Sequence, residues 1–541
     1  MFKRFVGGLT AAVLLAGVAQ AQVATDPAAD RMRGHMSFLA DDLLEGRNTG
    51  TRGFDLAALY VSSQFQGLGL MPAGDAGNTS WFQPVAFDQT TVLGGGMRWQ
   101  PTHGEAASWD QGRDIIMIPG PASSRESITA PLVFVGYGID APAEGFDDYA
   151  GLDVSGKIVI AIIGVPPGTD PALAERVDNK VRDAFSRGAV GLIQIFSLDL
   201  ARQYEWSMVV QQFAQPQMDL AREDSSNPLA GRILALMDTP AASILFAGAP
   251  QPLDQILAEA DTPGGKPKGF ALDGEATLSS ETVVSRVTSH NVVGLLPGSD
   301  PVLKDEVVVV VAHLDHEGIS PDETLPDRIY NGAMDNAAGI AAMLEVARSL
   351  SQSPTRQRRT VLFLAVTGEE DGLLGSAYFA DNPTVAKSSL VAAVNMDMPL
   401  LTYPFSDIVA LGTENSTLGP IVTQVAASQG LPNSPDPLPE EGFFTRSDQY
   451  SFVQRGIPAI DISTGPAGVG AETLRVFLED TYHKPGDDLD QGIDWNAAGR
   501  FATLGSAIVR AVADADQRPL WYEGDRYGDQ FAPDAEKAPR P

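Results

Sequence analysis

Cysteine is absent from this chain of 541 residues, and histidine is scarce, with only six residues. Without thiols the chain has no cysteine nucleophile, no disulfide and no thiolate metal site. Any metal site must therefore be built from His, Asp and Glu. The small number of histidines makes such a site easy to test against the sequence.

Positive charge is also in short supply. Lys and Arg number 37 against 69 Asp and Glu, which gives a formal net charge of −32. Such a surface repels a phosphate backbone, so nucleic acid is not an expected partner. The acidic excess has two interpretations, solubility or clustered carboxylates that hold cations, and the count alone does not separate them.

Long apolar runs are missing after the first residues, and no later stretch approaches the ~18 residues of a membrane helix. The start of the chain has the pattern of a secretory signal. Lys3 and Arg4 precede an apolar stretch over residues 5–18, and Ala-Gln-Ala follows at 19–21. We predict cleavage after residue 21, no stable membrane span in the mature chain, and a periplasmic or secreted location.

The chain is longer than a single hydrophobic core supports, because such cores stop growing at about 250–300 residues. Two structured domains are therefore expected. Residues 26–72 show helical apolar spacing, and residues 80–285 are β-rich with few helices. Residues 286–515 alternate apolar strands with helices, which predicts an α/β fold with a mostly parallel twisted sheet covered by helices on both faces. The Pro- and Asp-rich residues 516–541 indicate a loosely ordered tail.

Acidic and imidazole side chains follow the predicted strands of this α/β region. His313 and Asp315 come after an apolar strand at 307–312, the pair Glu369-Glu370 after 361–366, and Asp397 after 390–394. Asp335 precedes a helix, and His483 lies in the loop before the last helix. Taken alone, each has an ordinary structural explanation, such as a helix cap for Asp335.

Taken together, the clusters predict a metal centre. Ligands in open parallel sheets collect at the carboxyl ends of the strands. Oxygen and nitrogen donors without sulfur suit zinc, with cobalt or manganese as substitutes. Five ligands exceed the three of a usual catalytic zinc, which indicates two ions with Asp335 as the bridge. Asp315 suits the carboxylate that orients His313, and one member of the Glu369-Glu370 pair is free to accept a proton.

The order of these motifs resembles that of the two-zinc metallopeptidases of clan MH, which include bacterial leucyl-type aminopeptidases, glutamate carboxypeptidase and inactive transferrin-receptor relatives. The motifs are His-x-Asp, Gly-Ala-x-Asp-Asn-Ala-x-Gly, Gly-Glu-Glu-x-Gly-Leu-Leu-Gly-Ser, Asn-x-Asp-Met and Tyr-His-x-x-x-Asp. The resemblance implies a catalytic domain from residues 26–79 and 286–515. The insert at 80–285 is similar, near 130–235, to a protease-associated domain. Met334 and Pro399 depart from the common pattern without removing a ligand.

The resemblance also implies a role for each site residue. His313 and Asp397 would hold one zinc, Glu370 and His483 the other, and Asp335 both. Glu369 would be the general base, and Asp315 the partner of His313. Tyr482 matches a position that contacts the scissile carbonyl in some relatives.

The implied activity is hydrolysis of N-terminal residues from peptides, with Glu369 taking a proton from the bridging water. A carboxypeptidase or dipeptidase on the same cage is the main alternative, and Arg446 is available for a substrate carboxylate. A non-catalytic binding protein or an aminoacyl cyclase is disfavoured, because all five ligands and Glu369 are present. The segment Arg446-Ser447-Asp448 is either a pocket element or a helix start. The four remaining histidines are expected to be structural or solvent-facing. They are His35, His103, His290 and His316.

Overall fold

The computed structural model describes residues 27–541 apart from residues 121, 171–172, 175–176 and 223–230. The predicted signal segment, residues 1–21, lies outside this part of the chain. The helices are α1 (Pro27–Leu39), α2 (Arg52–Gly67), α3 (Lys180–Ser186), α4 (Leu198–Gln203), α5 (Trp206–Ala214), α6 (Thr239–Leu245), α7 (Leu253–Ala260), α8 (Ala338–Ser351), α9 (Leu374–Asp381), α10 (Leu418–Ser428), α11 (Gln449–Val453), α12 (Gly470–Val476), α13 (Trp495–Asp514) and α14 (Arg526–Phe531).

The strands are β1 (Met71–Pro72), β2 (Phe82–Pro101), β3 (Ala107–Asp110), β4 (Ile115–Ile118), β5 (Ser124–Phe134), β6 (Asp140–Ala141), β7 (Phe146–Asp147), β8 (Ile158–Ile162), β9 (Gly191–Ile195), β10 (Gln217–Leu220), β11 (Ile233–Met237), β12 (Phe270–Leu296), β13 (Val307–His313), β14 (Gly318–Ile319), β15 (Ile329–Tyr330), β16 (Thr360–Val366), β17 (Leu390–Asn395), β18 (Ile408–Leu411), β19 (Asn433–Ser434), β20 (Ala459–Thr464), β21 (Trp521–Tyr522) and β22 (Lys537–Ala538).

The predicted α/β layering is confirmed. The four strands β16, β13, β17 and β20 pair in parallel, and β18 and β12 flank them in antiparallel orientation. Every residue of β13 and β16 is buried, because helices cover both faces. On one face lie α1, α2, α8, α10 and α13, and on the other α9 and α11. A continuous run of apolar β-branched residues suits a strand that is buried on two sides.

The β-rich insert has its own hydrophobic core, which extends from Met97 to Leu278 in sequence. Its sheet, however, is continuous with the catalytic sheet. The long strand β12 pairs with β16 at its end and with β2 and β5 along its length. The predicted boundary between residues 285 and 286 therefore falls inside one strand, and backbone hydrogen bonds couple the two units. The assignment as a protease-associated domain stays a prediction.

The prediction of a loosely ordered tail is wrong. Trp521 and Tyr527 are buried at 2% and 4% exposure and belong to the core on the α9 and α11 face. The Trp521 indole donates a hydrogen bond to the carbonyl of Gly456 at 2.9 Å. Composition predicted disorder because Pro and Asp are frequent, but aromatic side chains that pack into a distant core, together with strand pairing, order this short segment.

None of the helices in the described part of the chain is long and apolar enough to cross a membrane.

Candidate metal centre

The structure brings the five predicted ligands together at the carboxyl edge of the parallel sheet. His313 is the last residue of β13, and Asp397 and Glu370 follow β17 and β16. Asp335 lies in an irregular helical turn just before α8, and His483 in the loop before α13. Parallel strands whose carboxyl ends meet at one edge place these distant residues side by side.

Their donor atoms form two groups that share Asp335. His313 Nε2 lies 3.1 Å from Asp335 Oδ1 and 3.0 Å from Asp397 Oδ1. His483 Nε2 lies 3.2 Å from Asp335 Oδ2 and 3.1 Å from Glu370 Oε2. Asp335 thus presents one oxygen to each group.

These separations suit ligands of a metal ion. Two donors at zinc-ligand distance on a tetrahedral ion lie roughly 3.3 Å apart, close to the four separations of 3.0–3.2 Å. His483 Nε2 is buried and makes no hydrogen bond, although two carboxylate oxygens are near it. A ring nitrogen aimed between two carboxylates without hydrogen-bonding either is the geometry expected for a shared cation. The donor set therefore fits zinc.

The charges at the site also favour a bound cation. Burial lowers the pKa of His313, but Asp397 and Glu369 outweigh it, and the pKa lies well above its usual value. Burial raises the pKa of Glu369 well above its usual value against the opposing charge of His313, and nearby Glu370 adds to the rise. Carboxylates crowded in this way are costly without compensating positive charge, which metal ions provide.

Backbone hydrogen bonds hold the turn that carries Asp335. The amides of Met334 and Asp335 donate to the two oxygens of Asp487 at 2.9 and 3.0 Å. Gly332 precedes this turn at φ 58°, a conformation that favours glycine. Buried Arg47 donates to the carbonyls of Asn331 and Gly332 and fixes the same loop.

The predicted role of Asp315 needs correction. Its backbone carbonyl, not its carboxylate, lies 3.2 Å from His313 Nδ1. The carboxylate oxygen Oδ2 instead accepts the amide of Glu370 at 3.3 Å. Alternation along a strand predicted a shared direction for both side chains, but the strand ends at His313 and the chain turns there. Asp315 therefore orients the Glu369-Glu370 turn, and burial raises its pKa to about 6.

Glu369 and Tyr482 line a cavity beside the two donor groups. Tyr482 stacks on His483 with ring centroids 3.9 Å apart and packs edgewise on Phe477. Most of the remaining wall is apolar. Its apolar lining residues are Met398, Leu400, Tyr403, Val409, Leu411, Pro437, Phe443, Pro466, Leu474 and Phe477.

The segment Arg446-Ser447-Asp448 is a site element. Arg446 and Ser447 line the cavity, and the Ser447 hydroxyl donates to Asp397 Oδ2 at 2.5 Å. Asp448 does not cap α11 with its side chain, and both its carboxylate oxygens are buried without hydrogen-bond partners. Burial raises its pKa to about 7, with the charge of His313 opposing the rise.

Sequence reasoning missed His316. It is fully buried, with Nδ1 2.6 Å from Glu370 Oε1 and 3.9 Å from Asp335 Oδ2. Glu317 was also missed, and its carboxylate lies 3.3 Å from His483 Nδ1. The one available signal was the position of both residues directly after the His-x-Asp motif. Their direction depends on the turn after β13, which side-chain periodicity does not describe.

Part of this chain is similar in sequence to known proteins. Residues 291–509 match the model of peptidase family M28. Aminopeptidase YwaD of Bacillus subtilis is 34% identical over 249 residues, which are 44% of this chain and 48% of that protein. Aminopeptidase Y of Saccharomyces cerevisiae is 26% identical over 253 residues, 45% of this chain and 42% of that protein. The chain spans less than half the length of these two curated relatives.

One solved structure extends the similarity of fold to nearly the whole chain. An aminopeptidase from Aneurinibacillus sp. strain AM-1 superposes with a TM-score of 0.56 at 21% identity, covering 89% of this chain and 93% of that one. The family match covers the strands and loops that carry every predicted ligand. Over residues 291–509, about two fifths of its length, this chain is therefore similar to peptidase family M28.

Proposed function

We propose that this chain is an exported zinc-dependent aminopeptidase that removes N-terminal residues from peptides. One observation carries the proposal. Asp335 is shared between two groups of donor atoms, and Glu369 lies beside them in a cavity with an apolar wall. In this proposal His313, Asp335 and Asp397 hold one ion, and Asp335, Glu370 and His483 hold the other.

The chemistry that zinc, or cobalt or manganese in its place, would supply when held by these residues is a lower pKa of the attacking water, to about 7, and polarisation of the scissile carbonyl. Glu369 is the general base in this proposal. It accepts a proton from the water and delivers it to the leaving amine. Burial raises the proton affinity of Glu369, which suits a group that must hold the proton between these two transfers. Tyr482 would contact the scissile carbonyl from the same cavity.

The charges around the cavity favour an amino end over a carboxyl end. The carboxyl groups of Asp335, Asp397 and Asp461 line it, and one oxygen of Asp461 is buried without a hydrogen-bond partner. Among the described residues of the wall, Arg446 is the single strongly basic one, and it pairs with Glu441 at 3.2 Å. A substrate ammonium would be attracted here, whereas a substrate carboxylate would be repelled.

A carboxypeptidase or dipeptidase remains the second candidate, because Arg446 reaches the cavity. A panel of aminoacyl anilides and C-terminal chromogenic peptides, assayed with zinc and after chelation, separates the two. We expect chelator-sensitive hydrolysis of the anilides, with apolar side chains preferred. Cleavage of only the C-terminal substrates would favour the alternative. No chelator-sensitive hydrolysis of either class, together with intact zinc binding, would favour a binding protein.

Export is tested separately. We expect the mature protein in the periplasm or medium to begin near Gln22, as determined by N-terminal sequencing. A mature chain that retains residues 1–21 would contradict the predicted cleavage.

A further inference from the structure

His316 is not one of the proposed metal ligands. It is a buried histidine that lies beside one of them, Glu370. Its side chain is fully buried, and its Nδ1 contacts Glu370 Oε1 at 2.6 Å. The other oxygen, Oε2, faces His483 Nε2 at 3.1 Å. The two oxygens of Glu370 are therefore divided between a neighbouring imidazole and the donor group that includes Asp335.

The 2.6 Å separation identifies a hydrogen bond rather than a pair of ligands. Donors on one tetrahedral zinc lie roughly 3.3 Å apart, as the other imidazole–carboxylate pairs of this site nearly do at 3.0–3.2 Å. A separation of 2.6 Å is too short for that arrangement. It is instead close to the length of a strong hydrogen bond to an ionised carboxylate.

The position of the proton on the His316 ring also favours a hydrogen bond to Glu370 over a metal ligand. His316 Nε2 is buried and has no hydrogen-bond partner. If Nδ1 bound a metal ion, Nε2 would carry the proton, and a buried N–H would be left unpaired. If a neutral ring donates Nδ1–H to Glu370, Nε2 carries only a lone pair, and an unpaired acceptor costs less than an unpaired donor.

The surroundings hold the ring in this position. A Cβ added at Gly332 would lie 2.6 and 2.7 Å from two atoms of the imidazole, so this backbone packs directly on the ring. The backbone amide of His316 donates to the carbonyl of Arg47 at 3.3 Å. The loop that contains Gly332 also carries Asp335. The His316 ring therefore lies between the carboxylates of Asp335 and Glu370, which would share an ion.

We infer that His316 is a positioning residue that binds Glu370 Oε1 through its Nδ1–H and leaves Oε2 as the single oxygen facing the metal site. This inference rests on the proposed two-metal function. A carboxylate fixed in this way binds an ion through one oxygen, and hydrogen bonds to ligands commonly strengthen metal binding by about 10- to 100-fold.

The test compares His316→Asn with His316→Gln in the full-length protein. The Asn amide nitrogen occupies the position of Nδ1, whereas the Gln amide lies further along the side chain, near Nε2. Zinc content and the dissociation constants of both ions are measured by chelator competition at one pH. His290→Ala, which removes a ring that packs on Phe82, is the control.

We expect two zinc ions in the wild type, about 10- to 100-fold weaker binding of one ion in His316→Gln, and affinity within about threefold of wild type in His316→Asn. His316→Ala serves as a second negative variant if His316→Gln does not fold. Equal weakening in the Asn and Gln variants, or wild-type affinity in Gln or Ala, would overturn the positioning role. A wild type that binds no zinc would instead refute the proposed function itself.

Discussion

The carboxylate of Asp487 accepts the backbone amide of Asp335 at 3.0 Å and so fixes the residue that both donor groups share. A second amide, that of Met334, donates to its other oxygen. We expect Asp487→Ala to weaken zinc binding and to lower the free energy of unfolding by about 3 kcal/mol, because two hydrogen bonds to a buried charge are lost. Zinc competition and urea unfolding measure both effects. Asp488→Asn, at the neighbouring carboxylate, is the control, and equal behaviour of the two variants would contradict the role of Asp487.

Glu369→Gln tests the general base. The amide keeps the size of the side chain but does not accept the proton, so we expect turnover of an aminoacyl anilide to fall about 10²- to 10⁴-fold. Both zinc ions should remain bound, as measured by metal analysis of the purified variant. Asp371→Asn changes a nearby carboxyl, whose pKa burial raises to about 8, and should retain most activity. Near wild-type turnover in Glu369→Gln would show that another group accepts the proton.

Asp461→Asn tests recognition of the substrate amine. We expect kcat/KM for leucyl anilide to fall about 10- to 100-fold, the size of a lost charge-assisted hydrogen bond of about 1.5–3 kcal/mol. The analogue without the α-amino group should be almost unaffected. Asp407→Asn removes a buried carboxylate that Ser434 and the amide of Ala467 satisfy. This control should change both substrates equally, and an equal loss on both substrates in Asp461→Asn would refute amine recognition.

Glu345 on α8 forms an ion pair with Arg31 on α1. We predict that this contact makes the stability of the fold sensitive to acid. Burial raises the pKa of its carboxyl, but contacts with His35, Arg31 and Arg348 outweigh burial and lower the pKa from 4.5 to about 2. Because the pKa is lower in the folded state, the ionised carboxylate stabilises the fold above pH 4.5, and this contribution is lost as the pH falls from about 4.5 to about 2.

We therefore expect Glu345→Gln to be less stable than wild type at pH 7, with the difference shrinking on acidification. Thermal unfolding at pH 7, 5 and 3.5 measures it. Glu523→Gln, at a carboxyl in the C-terminal segment far from α1, is the control. A difference that stays constant with pH would contradict the ion-pair explanation.

The sequence alone determined the sheet and the positions of the candidate ligands. Apolar runs such as 307–312 and 361–366 specify buried strands because a run of that composition is stable only with both faces covered. Residues directly after such strands meet at one edge of a parallel sheet. His313, Glu370 and Asp397 were predictable for this reason, and Asp335 and His483 from the order of the motifs.

Tertiary structure decided what lies around those ligands. His316 and the carboxylate of Asp315 point where the turn after β13 directs them, and the simple alternation of a strand does not extend beyond its last residue. Asp487 reaches Asp335, and Arg47 reaches Gly332, across more than 150 residues of sequence. The C-terminal segment was misjudged because its order depends on packing and backbone pairing with distant parts of the chain. Local pattern determines secondary structure and strand ends, whereas hydrogen bonds and packing between distant loops exist only once the chain has folded.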